Sequence, residues 1–136
     1  MYAGTNKQTE IIRGFRTCGL DDVYNADSTV EVQPGMIITK DGKLATLGAT
    51  HQEVGMSIQS NKFGRGGYDE ATGKIPVMVS NFVARTAVFE PAVYAENDVV
   101  TVANGLITKG GTGESIYGYV TAVDATTGTI DVRVTR

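Results

Sequence analysis

The chain holds one histidine and one cysteine, which sets a low ceiling on its chemistry. His51 stands beside Gln52 and Glu53 in a segment read as a loop. An imidazole next to a carboxylate is material for general acid–base catalysis. That chemistry also needs an orienting partner and a pocket. Nothing near His51 in sequence supplies either, so it reads as a surface residue. Cys18 lies close to Arg16, a cation that favours the thiolate, but it reads as a spectator thiol. A lone cysteine allows no intramolecular disulfide and no cysteine zinc cage. Asp21-Asp22 and Asp124 could suggest a carboxylate pair or a cation site. They lack the fixed spacing of an oxygen-ligand loop, so turn and surface roles are expected.

Phosphate and nucleic-acid chemistry fare no better. No P-loop is present, and Gly64-Arg65-Gly66-Gly67 is followed by no helical pattern that would make it a dinucleotide fingerprint. Lys62 to Tyr68 mixes bases, glycines and aromatics in the manner of some single-strand binders. Asp69 and Glu70 follow at once, and the whole chain carries a net charge of −3. A protein that neutralises many phosphates is expected to be basic. The segment therefore reads as a connecting loop. No cofactor, metal, nucleic acid, membrane or small-molecule substrate is expected. The chain has no Trp among its ten aromatics, which argues mildly against a carbohydrate platform. Tyr94, Tyr117 and Tyr119 remain as material for an interface.

The elements that would position these residues follow from composition. The chain has 136 residues, with 41% hydrophobic and 20% charged, enough for one domain with a real core. There are 16 Val, 9 Ile and 17 Thr against 4 Leu. Branching at Cβ suits a pleated surface, and 17 glycines suit tight turns. No apolar run is long enough for a membrane helix, and the first residues lack the apolar core of a signal peptide. The chain is expected to stay in the cytosol where it is made, or in an assembly built there.

About nine short strands are expected: Val30–Val32, Met36–Thr39, Leu44–Leu47, Val54–Ile58, Ile75–Val79, Phe82–Phe89, Val99–Val102, Ile116–Val123 and Ile130–Val134, with Leu106-Ile107 as a short return. Asp41-Gly42 and Asn104-Gly105 read as two-residue hairpin turns. Pro76 lacks an N–H and places its strand at an edge or at a strand start. Residues 60–73 read as a loop. The class is all-β, a compact β-sandwich or β-barrel.

The chain also matches itself. A slide of 63 residues lays Gly35–Leu44 on Asp98–Ile107, Gly48 on Gly111 and Gly55 on Gly118. A slide of 55 lays Tyr68–Val79 on Val123–Val134, with six of twelve positions identical. The reading is two similar β units, at approximately 30–80 and 93–136, in a β domain of residues 30–136. Residues 1–29 fall outside the repeat and read as an extended N-terminal arm.

Val32-Gln33-Pro34-Gly35-Met36-Ile37-Ile38-Thr39-Lys40-Asp41-Gly42-Lys43-Leu44 resembles the opening of the small capsid cement, or decoration, proteins of tailed bacteriophages. Val54-Gly55-Met56-Ser57, Ile75-Pro76-Val77-Met78-Val79, Asn104-Gly105-Leu106, Ile116-Tyr117-Gly118-Tyr119-Val120 and Ile130-Asp131-Val132-Arg133-Val134 are similar to later strands of that family. The resemblance covers roughly residues 30–136. It implies a non-enzymatic virion protein, made in the bacterial host cytoplasm. Such a protein binds the outer capsid surface of the expanded head, as a homotrimer, and clamps neighbouring major capsid protein subunits. Exposure logic adds contact residues that no motif supplies: Ile11, Ile12, Arg13, Phe15 and Arg16 on the arm, and Phe63, Arg65 and Tyr68 on the long loop. Three other classes stay open on sequence alone: a tail, baseplate or receptor-binding tip module, a small β-barrel enzyme or ligand-binding domain, and a secreted carbohydrate-binding module.

Overall fold

The computed structural model describes residues 9–13, 20–27, 29–58 and 74–135. The protein is all-β. In chain order its strands are β1 (Thr9–Arg13), β2 (Leu20–Asn25), β3 (Ile37–Thr39), β4 (Val54–Ser57), β5 (Lys74–Ser80), β6 (Phe82–Thr86), β7 (Val99–Ala103), β8 (Leu106–Lys109), β9 (Gly118–Asp124) and β10 (Thr129–Val134). They make two antiparallel sheets. The larger has the order β1-β6-β10-β9-β7-β8, the smaller β2-β5-β4-β3. The chain passes from one sheet to the other at Asn81, which has a φ of 58° and joins β5 directly to β6. Asparagine is one of the few side chains that tolerate that left-handed conformation.

Alternation along the strands builds the main core. Ile37, Met56 and Met78 of the smaller sheet meet Phe82, Val100, Val102, Val120 and Val132 of the larger. Each such side chain contributes about 1.5–3 kcal/mol by leaving water. The smaller sheet is also covered on its other face. Tyr24, Ile38, Ile75 and Val77 pack there with Val32, and Val30, Met36 and Leu44 close the rim. Burial on both faces explains why all four residues of β4 are buried.

The turns divide in an instructive way. At Asn104-Gly105 both residues have positive φ, 50° and 81°, the type I′ geometry that matches strand twist. At Asp41-Gly42 only Gly42 does, at 85°. The Gly42 N–H donates to Thr39 O at 2.9 Å, and the Thr39 N–H donates to Lys43 O at 2.8 Å. The loop therefore holds three residues, a type I turn followed by a left-handed glycine, and not two as expected. Pro76 does not sit on an edge strand: β5 lies between β2 and β4. Its carbonyl accepts the Ile58 N–H at 3.3 Å, so its missing donor faces the point where β4 has already ended. Val30–Val32 forms no strand. Asp27 captures the Thr29 N–H at 2.9 Å and its carbonyl captures that of Val30 at 3.0 Å, a local turn that competes with a ladder.

The segment before residue 30 does not stay outside the fold. β1 pairs with β6, and β2 pairs with β5 along its whole length, from Leu20↔Ser80 to Asn25↔Lys74. Tyr24 is 2% exposed. The described part of the expected arm thus forms two edge strands, one for each sheet.

The two sheets share one plan. Laying β2, β5, β4 and β3 on β6, β10, β9 and β7 reproduces the strand order. The details repeat as well. Gly35 donates to Ser57 O at 2.8 Å and Ser57 donates to Met36 O at 2.8 Å; Asn97 donates to Val120 O at 2.8 Å and Val120 donates to Asp98 O at 2.9 Å. Gly35 and Asn97 both have positive φ, 99° and 74°. A Cβ on Gly55 would strike Val77, and one on Gly118 would strike the Arg133 carbonyl, each on the neighbouring strand.

Candidate functional site

The two halves are locked together by one hairpin tip. The Ile37 N–H donates to Gly105 O at 2.9 Å, the Gly105 N–H to Ala45 O at 2.8 Å, and the Leu47 N–H to Val102 O at 2.9 Å. The Asn104 N–H donates to the Thr46 hydroxyl at 2.9 Å. This seam places the loop that follows Leu47 against the 3-10 turn Gly113–Ser115. There His51 Nδ1 lies 3.3 Å from Glu114 Oε1. The pair lines an open cleft of about 280 Å³ with Gly113, Ile116, Tyr119 and Thr135.

Each lining group has a local cause. The Thr112 N–H donates to Ser115 Oγ at 2.9 Å, and that hydroxyl donates back to Thr112 O at 2.7 Å, which fixes the short turn carrying Glu114. Tyr119 faces outward because β9 alternates, with Gly118 and Val120 buried on either side of it. Its register partner on β10 is Arg133, which is also exposed. His51 and Glu114 side chains are 71% and 56% exposed. Water reaches both, so the cleft can hold a polar chain segment but does not desolvate a reacting group. The carboxylate next to His51 in sequence, Glu53, is engaged elsewhere, by Lys40 at 2.9 Å.

A second polar feature crosses the larger sheet. Arg85 on β6 faces Glu10 on β1 and Asp131 on β10. It grips Asp131 through two bonds, Nε at 2.9 Å and a terminal nitrogen at 3.1 Å, while Glu10 stands 3.9 Å away. The Asp131 carboxylate holds the guanidinium pKa above its usual value. Fork-shaped pairing of this kind fixes strand register as well as charge.

The residues picked from sequence are placed unevenly. Ile11 is half-buried on β1 and packs against the main core, so its side chain serves the fold. Ile12 and Arg13 also lie on β1. Cys18, Phe15, Arg16, Phe63, Arg65 and Tyr68 lie outside the described residues. Of the three tyrosines offered for an interface, Tyr94 and Tyr117 are core residues at 7% and 0% exposure, and only Tyr119 is at the surface. Asp124 accepts the Thr126 N–H at 2.9 Å, the turn role expected of it. Among the described residues no group of three metal-ligating side chains comes together, and no helix is long and apolar enough to cross a membrane.

No family model, curated protein or solved structure matches this chain. The geometry and the sequence resemblance therefore carry the functional argument between them. Sequence reading missed the pairing of His51 with Glu114 and the Arg85–Asp131 fork. The repeat held a signal for the first: the 63-residue slide that lays Gly48 on Gly111 also lays His51 on Glu114. Equivalence in two halves does not by itself imply contact, and only the seam brings the two together.

Proposed function

We propose that this chain is a non-enzymatic virion protein that binds the outer surface of the expanded phage head and clamps neighbouring major capsid subunits, acting as a homotrimer. The observation that carries this reading is the use made of the segments that resemble cement proteins. Val32–Leu44 forms one continuous unit: a turn closed by the Met36 N–H on Gln33 O at 3.0 Å, strand β3, and the Gly42 hairpin. The same unit recurs in the second half, with a turn closed by the Asp98 N–H on Ala95 O at 3.1 Å, then β7 and the Gly105 hairpin. A β module with one edge strand of each sheet at the start of the chain suits a clamp. Modest contacts per copy add through effective concentration in an oligomer.

The test is co-sedimentation with expanded, undecorated heads of the encoding phage, against unexpanded proheads. Saturable binding to expanded heads alone is expected. Binding to neither form removes the reading. Because β2 belongs to the smaller sheet, the truncation that probes the N-terminal contact stops before it and removes residues 1–13 only.

A further inference from the structure

The loop at 90–97 has an unusual burial pattern. Tyr94 is buried, and all seven of its neighbours in that stretch are exposed. Val93 is 86% exposed, with Pro91 and Ala92 exposed before it.

The loop is firmly held. The Tyr94 hydroxyl donates to Glu90 O at 2.7 Å, and its ring meets Phe89 edge-on with centroids 5.1 Å apart. Lys109 Nζ donates to Val93 O at 2.8 Å, and the Ala95 N–H donates to Asp98 Oδ2 at 2.8 Å. The Glu90 N–H donates to Ile107 O at 2.8 Å. An apolar tip on so fixed a support is preorganised for contact, because little ordering cost remains to be met on binding.

The other half of the molecule carries no apolar tip at the matching turn. The β2–β5 and β6–β10 registers and the turns Gln33–Met36 and Ala95–Asp98 match at a spacing of 62 residues, which lays Val32 on Tyr94 and Glu31 on Val93. Val32 is buried as Tyr94 is, and Glu31 is exposed. Glu90 and Glu96 have no ion-pair partner among the described residues. One half thus presents a carboxylate at this exposed position, and the other presents a valine.

We propose that the Pro91-Ala92-Val93 tip, flanked by Glu90 and Glu96, is a docking knob for a protein surface that offers a shallow apolar hollow rimmed by lysine or arginine. The charge of the loop selects that rim, since unpaired carboxylates steer toward cations and raise the rate of encounter. The hollow takes the valine as a central anchor. Naming the shell subunit as the owner of this hollow rests on the cement reading.

The experiment compares wild type, Val93→Asp, the double variant Glu90→Lys with Glu96→Lys, and Val123→Asp on expanded, undecorated heads. Val123 is an exposed apolar residue of β9, outside the loop, and serves as the control. Melting temperature and sedimentation velocity are recorded for each. Val93→Asp is expected to bind at least about tenfold more weakly than wild type with an unchanged melting temperature. The charge-reversed variant is expected to bind more weakly and to lose salt dependence. Val123→Asp is expected to bind as wild type does. If wild type binds and all three variants bind equally well, the knob is overturned and the cement reading stands. If wild type binds no heads, the cement reading falls and takes this assignment with it. If Val93→Asp changes the oligomeric state of the free protein, the tip is an interface between copies and the shell assignment is overturned.

Discussion

His51 Nδ1 lies 3.3 Å from Glu114 Oε1, and these two residues occupy the same position in the two halves of the chain, 63 residues apart. The loops that carry them are continuous with the seam at Ala45–Leu47 and with β9. The pair therefore reports on whether the halves are seated, without being what seats them. Solvent-exposed pairs contribute about 0–1 kcal/mol. His51→Ala and Glu114→Ala are each expected to fall within that range in urea melts. A loss well above it would place the pair among the main supports of the seam.

Glycine at two equivalent positions makes a sharper prediction. A Cβ at Gly118 meets the Arg133 backbone oxygen, which cannot move without breaking the β9–β10 ladder. A Cβ at Gly55 lands 2.7 Å from Val77 Cγ2 and 2.8 Å from Val77 Cβ, a milder clash whose Cβ contact is relieved only by a shift of β5. Gly118→Ala is expected to cost about 3 kcal/mol or more, and Gly55→Ala about 1–3 kcal/mol. Gly128, with open space around it and a φ of 71°, is the control; its alanine variant loses only about 1 kcal/mol. Chemical denaturation of the three variants checks the order.

Acid should weaken the turn held by Asp27. Lys43 and the Thr29 hydroxyl and N–H hold the Asp27 carboxyl well below the usual carboxylate range. A depressed folded-state pKa adds stability above the unfolded value, near the ordinary carboxylate pKa. That stability drains away as pH falls below it. Asp27→Asn is expected to lower stability at pH 7 and to flatten the loss below about pH 4, so that variant and wild type converge in acid. Melting temperature measured across pH in low salt reads this directly, and an unchanged acid slope would contradict it.

Removing residues 1–13 strips β1 from β6. The truncated protein is expected to stay folded, since β6 still pairs with β10 along its length. Hydrogen exchange should accelerate at the β6 amides that face β1 and hold steady in β4 and β5. Global unfolding on truncation would show that Ile11, half-buried on the core, supports far more than an edge.

Much of this architecture can be read from residue types, because short β elements announce themselves through their turns. Asn104-Gly105 is a strong signal, since both residues tolerate positive φ and the twist demands it. Asp41-Gly42 carries half of that signal, and the chain adds a third loop residue. β1 and β2 are harder to see. Thr9-Glu10-Ile11-Ile12-Arg13 and Leu20-Asp21-Asp22-Val23-Tyr24-Asn25 show no clean alternation, because edge strands mix exposed and covered positions. The contact surfaces are harder still. Exposure logic favoured Ile11, whose side chain faces the core. It had no means of finding Val93, whose surroundings depend on Tyr94 folding back to the Glu90 carbonyl.

The Asn104-Gly105 tip sits between Ile37 and Ala45, giving its carbonyl to one and its N–H to the other. During synthesis, the first sheet therefore emerges with both of those partners missing. An amide and a carbonyl in a nearly dry environment, each left without a partner, are costly. The early half must wait until the ribosome has released residue 105 before it can close. The molecule looks like two modules in its wiring, but neither half closes without the other.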